Sequence, residues 1–201
     1  MRDSSKKSRR AQIELAAYDV LHRKGYAGTS MLAIAKAAKA SNETLYRWYG
    51  DKIGLFAALI ANNAAHLKAT LETALNEDQD PVQTLKSLAP LLLGTLTSAR
   101  VIALNRAAAA DETGTLGAAI AQGGRDTIAP LIASVITQAI ERGQVAAPSP
   151  RIATEWYIAL VIGDAQIRRV TGAVPEPSEA HIVTLAEARV AAFLKLVAPA
   201  V

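Results

Sequence analysis

Apolar residues recur at helical spacing from one end of this chain to the other, and strict alternation is scarce. Ile13, Ala16, Ala17, Val20 and Leu21 mark a first amphipathic helix. Gly25 follows Lys24 and is placed to end it, because glycine takes the left-handed conformation without a Cβ clash. Thr29 or Ser30 is positioned to cap a second helix whose core face is Met31, Ile34, Ala35 and Ala38. Ser41 is positioned to cap a third, and Asp51 a long fourth helix from about Lys52 to Leu75. Pro81 suits the first turn of the next helix. That helix carries Leu85, Leu88, Leu92 and Leu96, and Pro90 kinks it. Further helices are predicted over 99–110, 128–142, 148–170 and 178–197. The stretch holding Gly114, Gly117, Gly123 and Gly124 reads as short and loose, and Gly172 to Pro177 as a turn. The pattern predicts an all-α chain.

The last two predicted helices are apolar on more than one side. Ile152, Trp156, Leu160, Gly163 and Ile167 form one stripe; Ile182, Leu185, Ala188, Ala192, Phe193 and Leu196 form another. Val161, Ile162, Val183, Val190, Leu194 and Val197 lie off both. Such helices must be covered on several faces, by their own chain or by a second subunit in an isologous contact. A homodimer is favoured, with Trp156, Leu160, Ile167, Leu185, Phe193 and Leu196 at the interface.

Composition narrows the function classes. The 201 residues include no Cys, which excludes thiol catalysis and Cys-based metal sites. Glu14 and Asp19 interrupt the segment after the first basic residues, so it does not read as a signal peptide. The longest apolar stretches are too short, and too broken by Pro and Gly, to span a bilayer. A soluble cytoplasmic protein without membrane association is expected. His22, His66 and His181 form no metal-binding spacing, and no Gly-x-Ser-x-Gly or Gly-rich phosphate loop is present. No catalytic residue, metal or cofactor is expected, and the chain does not read as an enzyme.

Charge is uneven. Residues 1–52 carry 11 Lys/Arg against 5 Asp/Glu, a local excess of +6 in a chain of net charge +4. A basic end on a mildly acidic body fits either a polyanion-binding head or a solvated tail.

The stretch TSMLAIAKAAKASNETLYRWYGDKIGLF, Thr29 to Phe56, decides between them. It reads as two short helices joined by a tight turn, preceded by a basic, Ser-rich arm and the first amphipathic helix. Ile34, Ala35, Ala38, Leu45 and Tyr49 are placed to pack the unit. Asn42, Glu43, Thr44, Tyr46, Arg47 and Trp48 are left near the outer surface. Asn pairs bidentately with adenine and Glu accepts from cytosine N4. Thr and Tyr hydroxyls, Arg and the indole N–H bond phosphate, which positions the protein without specifying sequence. Lys52 adds a phosphate partner, and the basic arm is suited to the backbone or a minor groove. Tyr46, Trp48 and Tyr49 also suit a small aromatic core, although three of the chain's nine aromatic residues within four positions is a marked concentration.

At these residues the sequence resembles the TetR family of bacterial transcriptional regulators. The TLYRWYGDKIGLF run and the TSMLAIAKAAKAS run before it are similar to that family's helix-turn-helix. The stretch RVIALNRAAAADETGTLGAAIAQGG is similar to the AefR-like C-terminal domain. The resemblance implies an N-terminal three-helix DNA-binding domain, residues 1–55, and a C-terminal ligand-binding and dimerisation domain, residues 56–201. It implies a homodimer on double-stranded DNA bearing an inverted-repeat operator, acting as a repressor released by a small-molecule effector. Carried over by position, Asn42, Glu43 and Tyr46 face bases, and Thr44, Arg47, Trp48 and Lys52 face phosphates. Two departures stand out. Lys39 occupies a turn position where the family often has Gly, and Leu32 and Ala33 fill positions that are often polar.

The same resemblance implies an effector pocket in the body, walled by the fourth helix and those after it. Asn63, His66, Leu67, Leu92, Leu96, Asn105, Trp156 and Leu160 are the candidate contacts. A few polar groups in an apolar wall are what a small-molecule site needs, and an apolar body favours a hydrophobic effector. Leu92, Leu96 and Leu160 equally suit plain core, Asn63 and His66 plain surface, and Trp156 a dimer anchor. The competing reading of the whole chain is a helical dimer that coats DNA without operator specificity, or a protein-interaction module.

Overall fold

The computed structural model describes residues 2–199, with side chains described from Lys6 onward. Eleven α-helices and one π-helical turn occur among these residues, with no strand. The chain divides into two compact units: Met1–Asn62 with Ala103–Gly123, and Asn63–Ile102 with Gly124–Val201.

The first unit, the head, is built on α1 (Arg2–Lys24), α2 (Met31–Ala37), α3 (Asn42–Tyr49) and the first half of α4 (Lys52–Asn76). α1 buries Ile13, Ala17, Val20 and Leu21 along one stripe. The basic segment expected to form a separate arm is instead the opening of this helix. No Gly or Pro interrupts residues 2–24, and Lys, Arg and Ala are strong helix formers. Ser30 caps α2 by accepting from the Ala33 amide at 3.2 Å, and Ser41 caps α3 by accepting from the Thr44 amide at 3.1 Å. Asp51 Oδ1 accepts from the Gly54 amide at 2.7 Å and starts α4.

The turn between α2 and α3 is a Schellman motif. The Ala40 amide donates to the Ala35 carbonyl at 2.9 Å and the Lys39 amide to Lys36 at 3.2 Å. It puts Lys39 at φ +51°, in the left-handed region a glycine usually fills. The head also holds most of α6 (Ala99–Ala109) and α7 (Thr115–Ile120), which contribute Leu104, Ala107 and Leu116 to its core.

Of the glycine-bearing stretch expected to be short and loose, Gly114 sits in the turn before α7 at φ +68°, whereas Gly117, Gly123 and Gly124 lie in helical turns. α7 passes through a π-helical turn (Ala121–Arg125) into α8 (Asp126–Glu141). Within the head, a Cβ on Gly123 would stand 2.9 Å from Ile60 Cγ2, so the small residue permits close packing.

The second unit, the body, contains the rest of α4 with α5 (Pro81–Thr97), α8, α9 (Pro150–Ile162), α10 (Ala165–Val170) and α11 (Glu179–Leu196). Its core includes Leu71, Leu85, Leu88, Ile132, Ile136 and Phe193, all essentially without exposure. Tyr157 lies edge-on to Phe193 at 5.2 Å between ring centroids. Its hydroxyl donates to the Leu85 carbonyl at 2.7 Å. Burial pushes the Tyr157 phenol far above its ordinary pKa, which keeps this donor protonated.

The single helix expected over 148–170 is broken. Gly163 adopts φ +51° and ends α9, and α10 restarts two residues later. Arg189 of α11 supplies what the break leaves open: its Nη1 donates to the carbonyls of Val161 and Ile162 at 2.9 and 2.8 Å. A charged donor on two orphan carbonyls is a favourable way to end a helix.

No single helix among the described residues is long and apolar enough to cross a membrane.

Candidate nucleic-acid interface

α3 presents the chemistry of the interface. Leu45 is fully buried and anchors the helix, while Asn42, Glu43, Tyr46 and Arg47 are exposed. The spacing 42, 43, 46, 47 puts these four on one face, away from Leu45. They offer an amide, a carboxylate, a phenol and a guanidinium within one and a half turns. Thr44 is half-buried and its Oγ1 lies 2.7 Å from Ser41 Oγ, so its hydroxyl serves the cap as well as the surface.

Lys52 is half-buried and braced. Its Nζ donates to the Tyr26 carbonyl at 3.0 Å and lies 4.0 Å from the centre of the Tyr26 ring. The ring packs edge-on against Phe56 at 5.2 Å. Burial raises the Tyr26 phenol, with Asp111 and Asp51 adding to the shift. One ammonium proton of Lys52 is therefore spent inside the head.

Trp48 is half-buried against the head core and lies under a cation from α1. The Arg10 guanidinium sits 5.7 Å from the centre of the indole ring. Arg9, its neighbour, turns the other way: Nη1 donates to Gln12 Oε1 at 2.8 Å and Nη2 to the Lys39 carbonyl in the turn. The sequence marks Arg9 and Arg10 only as part of a basic run. Their partners outside α1, Lys39 for Arg9 and Trp48 for Arg10, lie some 30 to 40 residues away in the chain.

Leu32 is 53% exposed on α2, so the departure from a polar residue leaves an apolar side chain on the surface. Tyr49 packs into the head, where burial raises its phenol, with Glu14 adding to the shift. Its hydroxyl is buried without a hydrogen-bond partner among the described residues. It lines a cavity of about 430 Å³ together with Lys7, Arg10, Glu14, Trp48 and Asn62.

The residues expected to contact an effector are scattered. Leu67 and Leu92 are buried in the body core. Asn63, Leu96, Trp156 and Leu160 are half-buried in the body, His66 is exposed, and Asn105 belongs to the head unit. A cavity of about 510 Å³ in the body is lined instead by α5, α10, α11 and the segment before α11, through residues such as Leu93, Thr97, Arg168, Arg169, Ile182 and Leu185.

Of the expected interface residues, Ile167 and Leu196 are 58% and 55% exposed, and Trp156, Leu160 and Leu185 are half-buried. Phe193 differs: it is fully buried against Tyr157 within its own chain, so it is core and offers nothing to a partner.

Comparison with known proteins accords with this geometry. A model of the C-terminal domain of AefR-like transcriptional repressors matches residues 83–197, and a model of bacterial regulatory proteins of the tetR family matches residues 14–59. No curated protein matches. Among solved structures, a TetR-family transcriptional regulator from Mesorhizobium loti MAFF303099 is 27% identical, with a TM-score of 0.75 over 96% of this chain and 98% of that one. The flavonoid-responsive regulator FrrA is 26% identical, with a TM-score of 0.69 over 97% and 100%. A TetR transcriptional regulator from Agrobacterium tumefaciens is 25% identical, with a TM-score of 0.71 over 94% and 95%.

Proposed function

The chain belongs to the tetR family of bacterial regulatory proteins, and on that premise we propose that it is a cytoplasmic homodimeric repressor that reads an inverted-repeat operator and is released by a small apolar effector. Residues 1–55 form the DNA-reading part and 56–201 the effector-binding and dimerisation part. The observation that carries this reading is the exposed face of α3. Asn42, Glu43, Tyr46 and Arg47 lie on the face opposite the buried Leu45 and so offer base-reading and phosphate-bonding groups on one surface.

Asn42, Glu43 and Tyr46 read base edges; Thr44, Arg47, Trp48 and Lys52 set the register on phosphates. The half-buried Asn63, Leu96, Trp156 and Leu160 are the contacts proposed for the effector. Likeness to a flavonoid-responsive regulator supports a small-molecule signal. The exposed Ile167 and Leu196, with Leu185, support pairing through α10 and α11. The effector acts by population shift: it must bind one spacing of the two heads better than the other, since equal affinity shifts nothing. α4 contributes residues to both units and is the element proposed to carry the change.

The test is fluorescence anisotropy of the purified protein on DNA from upstream of its own gene, against a scrambled duplex, across a salt series. Selectivity of roughly 10³ or more supports operator reading. Equal affinity for both duplexes with a steep salt dependence supports the coating alternative and overturns this one.

A further inference from the structure

The contacts proposed for α3 and α4 leave one charged group of the head without a role, the basic opening of α1. We infer that α1 carries a second phosphate-contact site beside the recognition helix, in which the Arg10 guanidinium, laid over Trp48, holds a DNA backbone phosphate, with Lys7 one turn earlier extending the contact along the strand. The inference rests on the proposal that α3 enters a DNA groove.

Four observations support it. First, the segment is helix and not a trailing arm, so its charges are held at fixed positions. Second, the basic residues are sorted by direction. Arg9 is committed inward, to Gln12 and to the Lys39 carbonyl of the turn. Arg10 lies over the ring of Trp48, a residue of α3 itself, and Lys7 and Arg10 share a helix face and one cavity wall. Third, Arg10 is exposed although it touches Trp48, so stacking orients the guanidinium and leaves its N–H edge open to a phosphate. Fourth, the acidic residue of the same cavity wall, Glu14, is engaged by the Asn62 amide at 2.7 Å, one turn farther from the N-terminus than Arg10. The positive charge therefore lies toward the opening of α1. A duplex whose groove receives α3 must carry its phosphates past the flanks of that helix, and Trp48 with Arg10 forms one flank.

The geometry separates two neighbouring arginines into different roles. Arg10 neutralises phosphate, whereas Arg9 braces the turn. The experiment is the salt dependence of affinity for a duplex selected from a random pool by the wild-type protein, and for a random duplex. Each phosphate neutralised contributes about 0.9 to the slope of log K against log salt. Arg10→Ala is expected to lower that slope by about 0.9 on both duplexes, and Lys7→Ala to lower it further in the double variant. Arg10→Lys is expected to keep the slope, since the charge remains. Arg9→Ala is expected to lower the melting temperature and leave the slope unchanged.

An unchanged slope for a folded Arg10→Ala, or for Lys7→Gln should Arg10→Ala fail to fold, overturns the site. An equal loss of slope in Arg9→Ala also overturns it, because the charge would then act without regard to geometry. If the wild-type protein does not distinguish the two duplexes, operator reading fails, and the slope comparison still decides the role of Arg10.

Discussion

A Cβ built on Gly54 would stand 2.0 Å from the carbonyl oxygen of Tyr49. α4 thus starts directly against the last residue of α3, and only a residue without a side chain allows that approach. Gly54→Ala is expected to push α3 and α4 apart, at a cost of about 1–3 kcal/mol as for overpacked cores. A lowered melting temperature together with weakened binding to every duplex is the expected result. An unchanged melting temperature would show that the junction relaxes without strain.

Lys39 offers the opposite case. Its φ of +51° is unfavourable for a residue with a Cβ, by roughly 1–2 kcal/mol for left-handed conformations. Lys39→Gly removes that strain but adds chain entropy to the unfolded state, so a net gain of up to about 1 kcal/mol is expected. The Arg9 bond goes to the carbonyl of residue 39 and survives the change. Denaturant unfolding measures it: the midpoint rises with the slope unaltered, and a fall in midpoint would refute the strain.

Asn42 and Arg47 share the exposed face of α3 and are expected to fail differently. Arg47→Ala should weaken all duplexes alike and flatten the salt dependence by about one phosphate. Asn42→Ala should cost about 1–3 kcal/mol on the preferred duplex and relax preference at one base position. Binding selections with each variant read this directly. Uniform losses from both would favour non-specific coating.

Asp80 links stability to pH. Its carboxylate accepts from the Gln83 amide at 2.7 Å, capping α5, and from the Gln144 side chain at 2.6 Å. The Gln83 amide first, then the Gln144 amide, hold its pKa below the ordinary carboxylate value, and Arg142 assists. A folded pKa below the unfolded one stabilises the native state above the ordinary carboxylate range. That stability is lost as pH falls through the folded pKa. Asp80→Asn keeps the cap oxygen and removes the titration. Thermal melts between neutral and acidic pH should therefore show a smaller acid loss in the variant, and identical acid limbs would remove Asp80 from the account.

Tyr157 binds two elements of the body through one hydroxyl. Tyr157→Phe keeps the ring against Phe193 and leaves the Leu85 carbonyl without that donor. A loss of about 1–2 kcal/mol is expected from chemical denaturation, within the range for a buried bond broken on one side. Operator affinity at low temperature should not change.

What was legible before the structure is mostly local. Ser30, Ser41, Asp51 and Pro81 announce helix starts because a cap acts on amides within three residues, and Gly25 announces a stop for a similar reason. The face of α3 was legible because Leu45 alone among its middle residues is aliphatic. The break at Gly163 was not, since a lone glycine within an apolar stripe reads as tolerated helix. Its outcome depends on Arg189, which lies more than twenty residues onward and caps the carbonyls the break exposes.

By itself, then, the sequence determined the all-helical class, the capped helix starts at Ser30, Ser41, Asp51 and Pro81, the helix-turn-helix and the chemistry of its exposed face, because each is settled by interactions within a few residues. Only the tertiary structure decided that Phe193 is core, that Lys52 braces Tyr26, and that Arg9 grips the turn while its neighbour Arg10 stacks on Trp48. An apolar residue has the same local signature whether its own chain or a partner covers it, and a long cation finds its partner among groups far away in the chain.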